Sequence, residues 1–284
     1  MIRFAQPKDH PQLKALWMDA FGDAREAVDA YFAFRHADGA MLVDEENKQI
    51  TGMLTMLPVT LRTGGGQAFK ARYIYAVATD MRFRGRGIST ALLEAAHRHM
   101  EALGEAAGIL VPASPSLFAF YGKRGYTAAF SLDAVSYAAA ELPSVPPRGT
   151  VKPCSAQAYT ALRDQVFSGS RLYAAWDEPA IAYAMRAFAR TGGMAALSWD
   201  GGEGCAAWEN TEDGVLVKEL ALLRGDVKTA LAVLHSRVNA ARYTVRLAQG
   251  TVPGTAATPF GMIRWLIAEP ALTGKPPYLS LVLD

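Results

Sequence analysis

Cysteine is scarce: two in 284 residues, Cys154 and Cys205, are too few and too far apart for a disulfide framework or a thiolate metal site. They read as reduced, mostly buried thiols, since free cysteine is among the most buried residue types. Long apolar runs are missing as well. No stretch approaches the ~20 residues that cross a bilayer, and the N-terminal MIRFAQPKDHPQLK carries charges where a signal peptide needs an apolar core. The expectation is a cytoplasmic protein with no membrane partner. An excess of charge of either sign is also lacking, with 29 Lys and Arg against 27 Asp and Glu for a formal net charge of +2. Binding polyphosphate draws on a broad basic surface and many released counterions, so nucleic acid is not an expected partner. Histidines number five. His97 and His99, two apart on a predicted helix, point to different faces, and no metal site is expected.

What remains is the composition of an ordinary globular protein, 51% hydrophobic and 20% charged, with chain enough for one large domain or two of usual size. Ile2 to Phe4 can form a short strand. Asp9 and Pro11 mark a helix start before Leu13, Leu16, Trp17 and Phe21, and a second helix follows through Tyr31 and Phe34. AMLV and ITGMLTMLPVTLR read as two strands joined by a turn at Asp44 to Asn47, and ARYIYAVAT as a third, nearly continuous apolar strand. Ala91, Leu92, Ala95, His99 and Leu103 continue a helix; AAGILVPAS is a buried-type strand. SPSLFAFYGKRGY is a short helix with Ser114 as its cap and Pro115 in first position, and AAFSLDAVSYAAA supplies further strand.

Residues 141–153, ELPSVPPRGTVKP, hold four prolines and no apolar period, the mark of a linker. Beyond it the pattern repeats as two helices, a hairpin, a strand, a helix and a strand, with slight identity between the halves. The expected organisation is a first domain over 1–140, a linker over 141–153 and a second domain over 154–284.

One stretch separates the halves. Between strand and helix the first has ATDMRFRGRGIST and the second LALLRGDVKTA. Backbone amides at a helix start have no intrahelical partner, and the helix dipole adds about half a positive charge there, so a phosphate set against them is stabilised. Glycine lets backbone approach closely or take positive φ, and Arg84 and Arg86 can meet phosphate oxygens in bidentate fashion. The aspartate of the second stretch is unfavourable beside an anion, so the second half is not expected to bind phosphate. A Walker loop would need a Lys after the glycines, and the dinucleotide fingerprint a Gly where Thr90 stands.

The run Arg84-Gly85-Arg86-Gly87-Ile88-Ser89 resembles the acetyl-CoA signature [QR]-x-x-G-x-[GA] of the GNAT acetyltransferases, departing only at Ser89. The preceding YAVAT, the following TALLEAA, then ILVPAS and FYGKRGY, similar to that family's FYxxxGF, extend the resemblance over about residues 1–140. The tandem layout further resembles the enhanced-intracellular-survival (Eis) branch, in which a degenerate second GNAT-like domain follows the catalytic one. That branch often adds a sterol-carrier-like domain, for which TPFGMIRWL to PPYLSLVLD is too short.

The resemblance implies an α/β (α+β) fold of tandem GNAT units, each a mixed, mostly antiparallel sheet flanked by helices. It implies acetyl-CoA as acyl-donor cosubstrate and an amine-bearing acceptor, a small molecule or a protein. It also implies a bulged strand whose Val77, Ala78 and Thr79 backbone pairs with the pantetheine arm. Arg84, Gly85, Arg86, Gly87, Ile88, Ser89 and Thr90 would wrap the pyrophosphate, with Ser116 among the cofactor contacts. Tyr121 matches the family tyrosine that protonates the departing thiolate. The general base stays open between the Asp284 terminus, Glu26, Asp19, Asp23 and a water-mediated group. For Trp17, Phe21, Tyr31, Phe32 and Phe34 core packing is the default, and some can also line an acceptor pocket. The rival function is a non-catalytic CoA-binding sensor or scaffold, against which Tyr121 argues. Oligomeric state, a homo-oligomer included, stays open.

Overall fold

The computed structural model describes residues 1–143 and 148–281. In chain order the first half runs β1 (Ile2–Phe4), α1 (His10–Phe21), α2 (Arg25–Phe34), β2 (Met41–Glu46), β3 (Gln49–Arg62), β4 (Ala68–Thr79), α3 (Ile88–Ala102), β5 (Ala107–Leu110), α4 (Pro115–Gly122) and β6 (Thr127–Ala138). The second runs β7 (Gly149–Lys152), α5 (Ala156–Phe167), β8 (Tyr173–Ala175), α6 (Glu178–Phe188), β9 (Gly192–Trp199), β10 (Gly202–Thr211), β11 (Gly214–Arg224), α7 (Val227–Val238), β12 (Arg242–Ala248) and β13 (Thr258–Trp265). No helix among the described residues is long and apolar enough to cross a membrane.

The chain divides into two compact units. The first comprises Met1–Thr60, Phe69–Thr127 and Met262–Pro270. Its strands lie in the order β1-β2-β3-β4-β5-β13. β1, β2 and β3 pair antiparallel, β4 and β5 parallel, and β5 pairs antiparallel with the Met262–Trp265 end of β13. A parallel pair needs a crossover connection, and α3 is that crossover. Its buried residues Ile88, Leu92, Leu93, Ala96, His97 and Met100 recur at helical spacing and pack on Leu54, Met56, Ile74 and Leu110 of the sheet. Side chains alternate along a strand, so Tyr73 and Tyr75 leave the other face of β4 from Ile74. Tyr75 there meets Trp17 of α1 and Tyr31 of α2, with ring centroids 5.5 and 6.0 Å away. Gly52 on β3 allows the start of α3 to sit close. A Cβ at that position would lie 2.6 Å from Ile88 Cγ2 and 3.1 Å from the Ala78 carbonyl oxygen.

The second unit comprises Leu61–Ala68, Ala128–Gly261 and the chain from Ala271 on, with strand order β6-β12-β11-β10-β9-β7. β11 and β12 are parallel and joined by α7, and the other neighbours are antiparallel. The apolar face of α7, from Val227 to Leu234, packs on Leu197, Trp208, Val217 and Val245. α5 packs on β10 and β11, and α6 on β9 and β10.

These units differ from the sequence boundaries in instructive ways. β6 falls inside 1–140, yet from Leu132 on it pairs with β12 in the second unit. The end of β13 falls inside 154–284 and closes the sheet of the first. Edge pairing depends on which strand is free to accept a neighbour, and periodicity along a chain carries no record of that. Within the expected linker, Gly149–Lys152 is a strand paired with β9, while residues 144–147 lie outside the described ones. The β2–β3 turn is Asn47-Lys48, both at positive φ, because β2 continues through Glu46. Ser114 stands at the cap position of α4, but its Oγ bonds to Ser116 Oγ at 3.0 Å and caps no backbone amide.

Candidate functional site

β4 bends where its sequence turns from large to small residues. Ala76 sits at φ +50°, a left-handed conformation that a non-glycine residue adopts at a cost of roughly 1–2 kcal/mol. The parallel ladder to β5 covers Ala71–Tyr73 against Ala107–Ile109, whereas β4 continues to Thr79. Val77, Ala78 and Thr79 lie in that continuation, past the bend. The strand is anchored at its end by the Asp80 amide, which donates to the Thr51 carbonyl oxygen at 2.9 Å.

In the loop after β4, Arg82 is tied to Asp80, while Arg84 and Arg86 are exposed. Asp80 accepts from the Arg82 amide at 2.9 Å and pairs with its guanidinium at 2.6 Å, and those bonds hold the Asp80 carboxyl below its ordinary pKa. Arg84 is exposed and makes a long 3.4 Å bond to the Thr79 carbonyl oxygen. Arg86 is exposed over the Phe83 ring and pairs with Glu46 at 2.8 Å. Gly85 and Gly87 both stand at φ +78°, the left-handed region that other residues resist. Gly87 is also the N-cap of α3, so no side chain accepts from the first amides of that helix, and its first turn carries no acid. Those amides stay available to an outside anion. Ser89 turns inward: its hydroxyl bonds to Thr79 Oγ1 at 2.7 Å, which ties helix to strand.

Tyr121 lies in the core cluster beside Ile88 and Ile74, with Val77, Leu117 and Phe120 packed against it. Burial pushes its phenol up to about 12, and the nearby Arg124 charge pulls the other way. Its hydroxyl has no hydrogen-bond partner among the described residues. Ser116 is exposed on the first turn of the same helix, in contact with Ser114. Arg124 links this turn to the loop. It stacks 3.5 Å from the Phe120 centroid, donates to the Phe120 carbonyl oxygen at 2.6 Å and donates through Nε to Thr90 Oγ1 at 3.0 Å.

Arg264 of β13 completes the support by donating to the Arg124 carbonyl oxygen and to His97 Nδ1, both at 2.9 Å. Guanidinium only donates, so the His97 proton sits on Nε2 and bonds to the Tyr126 hydroxyl at 2.9 Å. Burial first, and then the Arg264 charge, lower His97 to about 4. An unfolded chain protonates this histidine near pH 6.5 while the native one does not. The contribution of His97 is therefore fully present above that pH and is lost as pH falls toward 4, by up to about 3 kcal/mol. Urea unfolding at pH 7 and pH 4.5 should show this drop, and His97→Gln, which can keep both hydrogen bonds, should flatten it.

The aromatic start forms one cluster with β4. Trp17 contacts Tyr31, Phe21 and Phe32 at 4.6, 5.8 and 6.3 Å, while Phe34 is exposed. Asp23 is engaged, accepting from Trp17 Nε1 at 2.7 Å; Asp19 and Glu26 are exposed, and Asp284 lies outside the described residues. Sequence reasoning missed Tyr73 and Tyr75, whose alternation was hidden in a run apolar on both faces. It missed Arg124 and Arg264, whose roles rest on partners far along the chain.

The equivalent connection in the second unit is closed. Asp226 caps α7, with Oδ1 accepting from the Thr229 amide at 3.0 Å and Oδ2 from its hydroxyl at 2.6 Å. A carboxylate occupies the place that α3 leaves open.

Residues 1–129 match the family model described as acetyltransferase (GNAT) domain. No curated protein matches the chain. Among solved structures, a GCN5-related N-acetyltransferase from Anabaena variabilis is similar at TM-score 0.73 and 17% identity, covering 93% of this chain and 72% of its own. One from Kribbella flavida gives TM-score 0.71 and 18% identity, covering 94% and 71%. Eis1 from Mycobacterium abscessus gives TM-score 0.67 and 14% identity, covering 93% and 73%. At these identities the likeness establishes the fold, and residues 1–129 of this chain are similar to the GNAT acetyltransferase domain that the family model describes.

Proposed function

We propose that the chain is an acetyl-CoA-dependent N-acetyltransferase whose active site lies in the first unit, with the second unit a degenerate GNAT-like fold that binds no phosphate. The carrying observation is the contrast between two helix starts: α3 is capped by Gly87 with its amides open beside Arg84 and Arg86, and α7 is sealed by Asp226. The pyrophosphate of acetyl-CoA would take the amides from Gly87 to Thr90, and the pantetheine arm would extend the backbone of Val77, Ala78 and Thr79 past the Ala76 bend. A neutral amine then attacks the thioester carbonyl, the C–S bond breaks, and the products are an amide and free CoA. The ammonium proton leaves through a base, directly or by way of water, for which Asp19, Asp23, Glu26 and Asp284 are the candidates.

The raised pKa of Tyr121 shapes its part. A phenol near 12 keeps its proton throughout the working pH range, while a thiol ionises near about 8.5. Complete proton transfer to a free thiolate is uphill, so Tyr121 donates a hydrogen bond to the sulfur while the bond breaks. The proton released by the amine neutralises the thiolate in the end.

Two measurements test this reading. Arg84→Ala with Arg86→Ala should weaken acetyl-CoA binding by at least about tenfold, the loss of roughly 1.4 kcal/mol of charge-assisted contact. Unchanged affinity by calorimetry removes the loop from the site. Tyr121→Phe should lower kcat more than it raises KM, since the missing bond forms mainly as the sulfur leaves. Equal kcat, followed by thiol release with a panel of amines, would exclude Tyr121. Acetyl-CoA binding without any thiol release would favour the sensor.

A further inference from the structure

We propose that His10, His36 and Asp38 form a binding site for one divalent transition-metal ion of the zinc, cobalt and nickel class. The three residues come from separate places: His10 opens α1, His36 follows α2, and Asp38 begins the turn Asp38–Ala40 ahead of β2. Folding brings their ligand atoms within 4.8 Å of one another. His10 Nε2 lies 2.8 Å and His36 Nε2 2.7 Å from the same atom, Asp38 Oδ1. The two imidazoles meet at 89° with centroids 4.9 Å apart, so their nitrogens converge on one point from different directions.

The surroundings suit an ion. The His36 side chain is 4% exposed and stacked on Phe32 with centroids 4.5 Å apart, a fixed wall, whereas His10 and Asp38 are each 31% exposed and leave a way in from solvent. Among the described residues, Asp38 has these two imidazoles as its polar partners. Two nitrogens and one carboxylate oxygen favour borderline metals over magnesium or calcium, which prefer all-oxygen shells, and three protein ligands leave positions for water. The other histidines differ. His97 is held by Tyr126 and Arg264, His235 bonds to Tyr243, and His99 lies edge-on against Phe4. A bound ion joins the start of α1 to the end of α2 and so stiffens the helix pair that carries Trp17 and Tyr31. The site does not depend on acetyl transfer.

The test uses the full chain, stripped of metal and titrated with Zn²⁺ against a chromogenic chelator. One equivalent should bind, and His10→Ala and Asp38→Asn should each weaken it by at least about tenfold, while His99→Ala leaves it unchanged. Far-UV dichroism confirms that each variant is folded. With Co²⁺ the wild-type spectrum should show nitrogen and oxygen ligation. Absent binding, unchanged affinity in both site variants, or thiolate charge-transfer bands from Cys154 or Cys205 would overturn the proposal.

Discussion

Replacing Gly87 by aspartate should weaken acetyl-CoA binding by about a hundredfold or more, close to 2.7 kcal/mol at about 1.4 kcal/mol per tenfold. The substitution copies into α3 what Asp226 does in α7. The new carboxylate accepts from the first-turn amides that the pyrophosphate would use, at about 1.5–3 kcal/mol for each charged hydrogen bond displaced. It also puts a negative charge against another at the helix start. Part of the loss is backbone strain, because Gly87 stands at φ +78°. Gly87→Asn isolates the charge: asparagine tolerates the left-handed region and can accept from the same amides as aspartate, but it brings no negative charge. Calorimetry should rank the affinities wild type, then Asn, then Asp. An aspartate variant that binds like its parent would show that the pyrophosphate lies elsewhere.

Glu219→Gln should destabilise the second unit by about 3–5 kcal/mol, the usual cost of leaving one partner of a buried ion pair alone. Arg163 and Glu219 are 1% and 0% exposed and meet at 2.9 Å between α5 and β11. Tyr159 and Tyr278 each donate a hydroxyl to the same carboxylate, at 3.1 and 3.2 Å, and Arg163 Nη1 donates to the Ala174 carbonyl oxygen at 2.6 Å. Arg163 Nη2 is already sealed without a partner, so the guanidinium has no slack when its counter-charge goes. Replacing both charges, as Arg163→Met with Glu219→Leu, should recover much of the loss, since no lone charge then remains buried. Urea unfolding followed by tryptophan fluorescence measures both; Trp176, Trp199 and Trp208 report from the second unit.

The sequence made parts of this structure plain because they rest on local chemistry. The spacing of Leu13, Leu16 and Trp17 is a helix wherever it occurs, and two glycines among arginines before an apolar helix carry their own reason. Asp226 was legible as an obstacle for the same cause: a cap acts within three residues. A bulged strand at Val77, Ala78 and Thr79 is expected only through family resemblance, and the positive φ of Ala76 has no signal in YAVAT. Arg124, Arg264 and the His10–His36–Asp38 convergence were silent. Each gains meaning from a partner on another element, and helical or strand periodicity records which face a residue takes and nothing of whom it meets there. The fate of β6 and β13 was hidden on the same ground.

The closure of the first unit's sheet by β13 has a consequence for how the chain is made. Leu110 pairs with Met262, so the sheet edge at β5 gains its neighbour only after the intervening chain has been synthesised. At ~5–20 residues per second that delay is on the order of 10 s or more, during which α3, α4 and β4 can assemble but β5 presents an unpaired edge and Arg264 is not yet there to hold His97 and Arg124. Closing so long a loop adds little to the final stability balance but slows the search. The turn that carries Tyr121 should therefore be among the last parts of the first unit to become rigid on the ribosome, and the growing chain most vulnerable to edge-to-edge aggregation between the birth of β5 and that of β13.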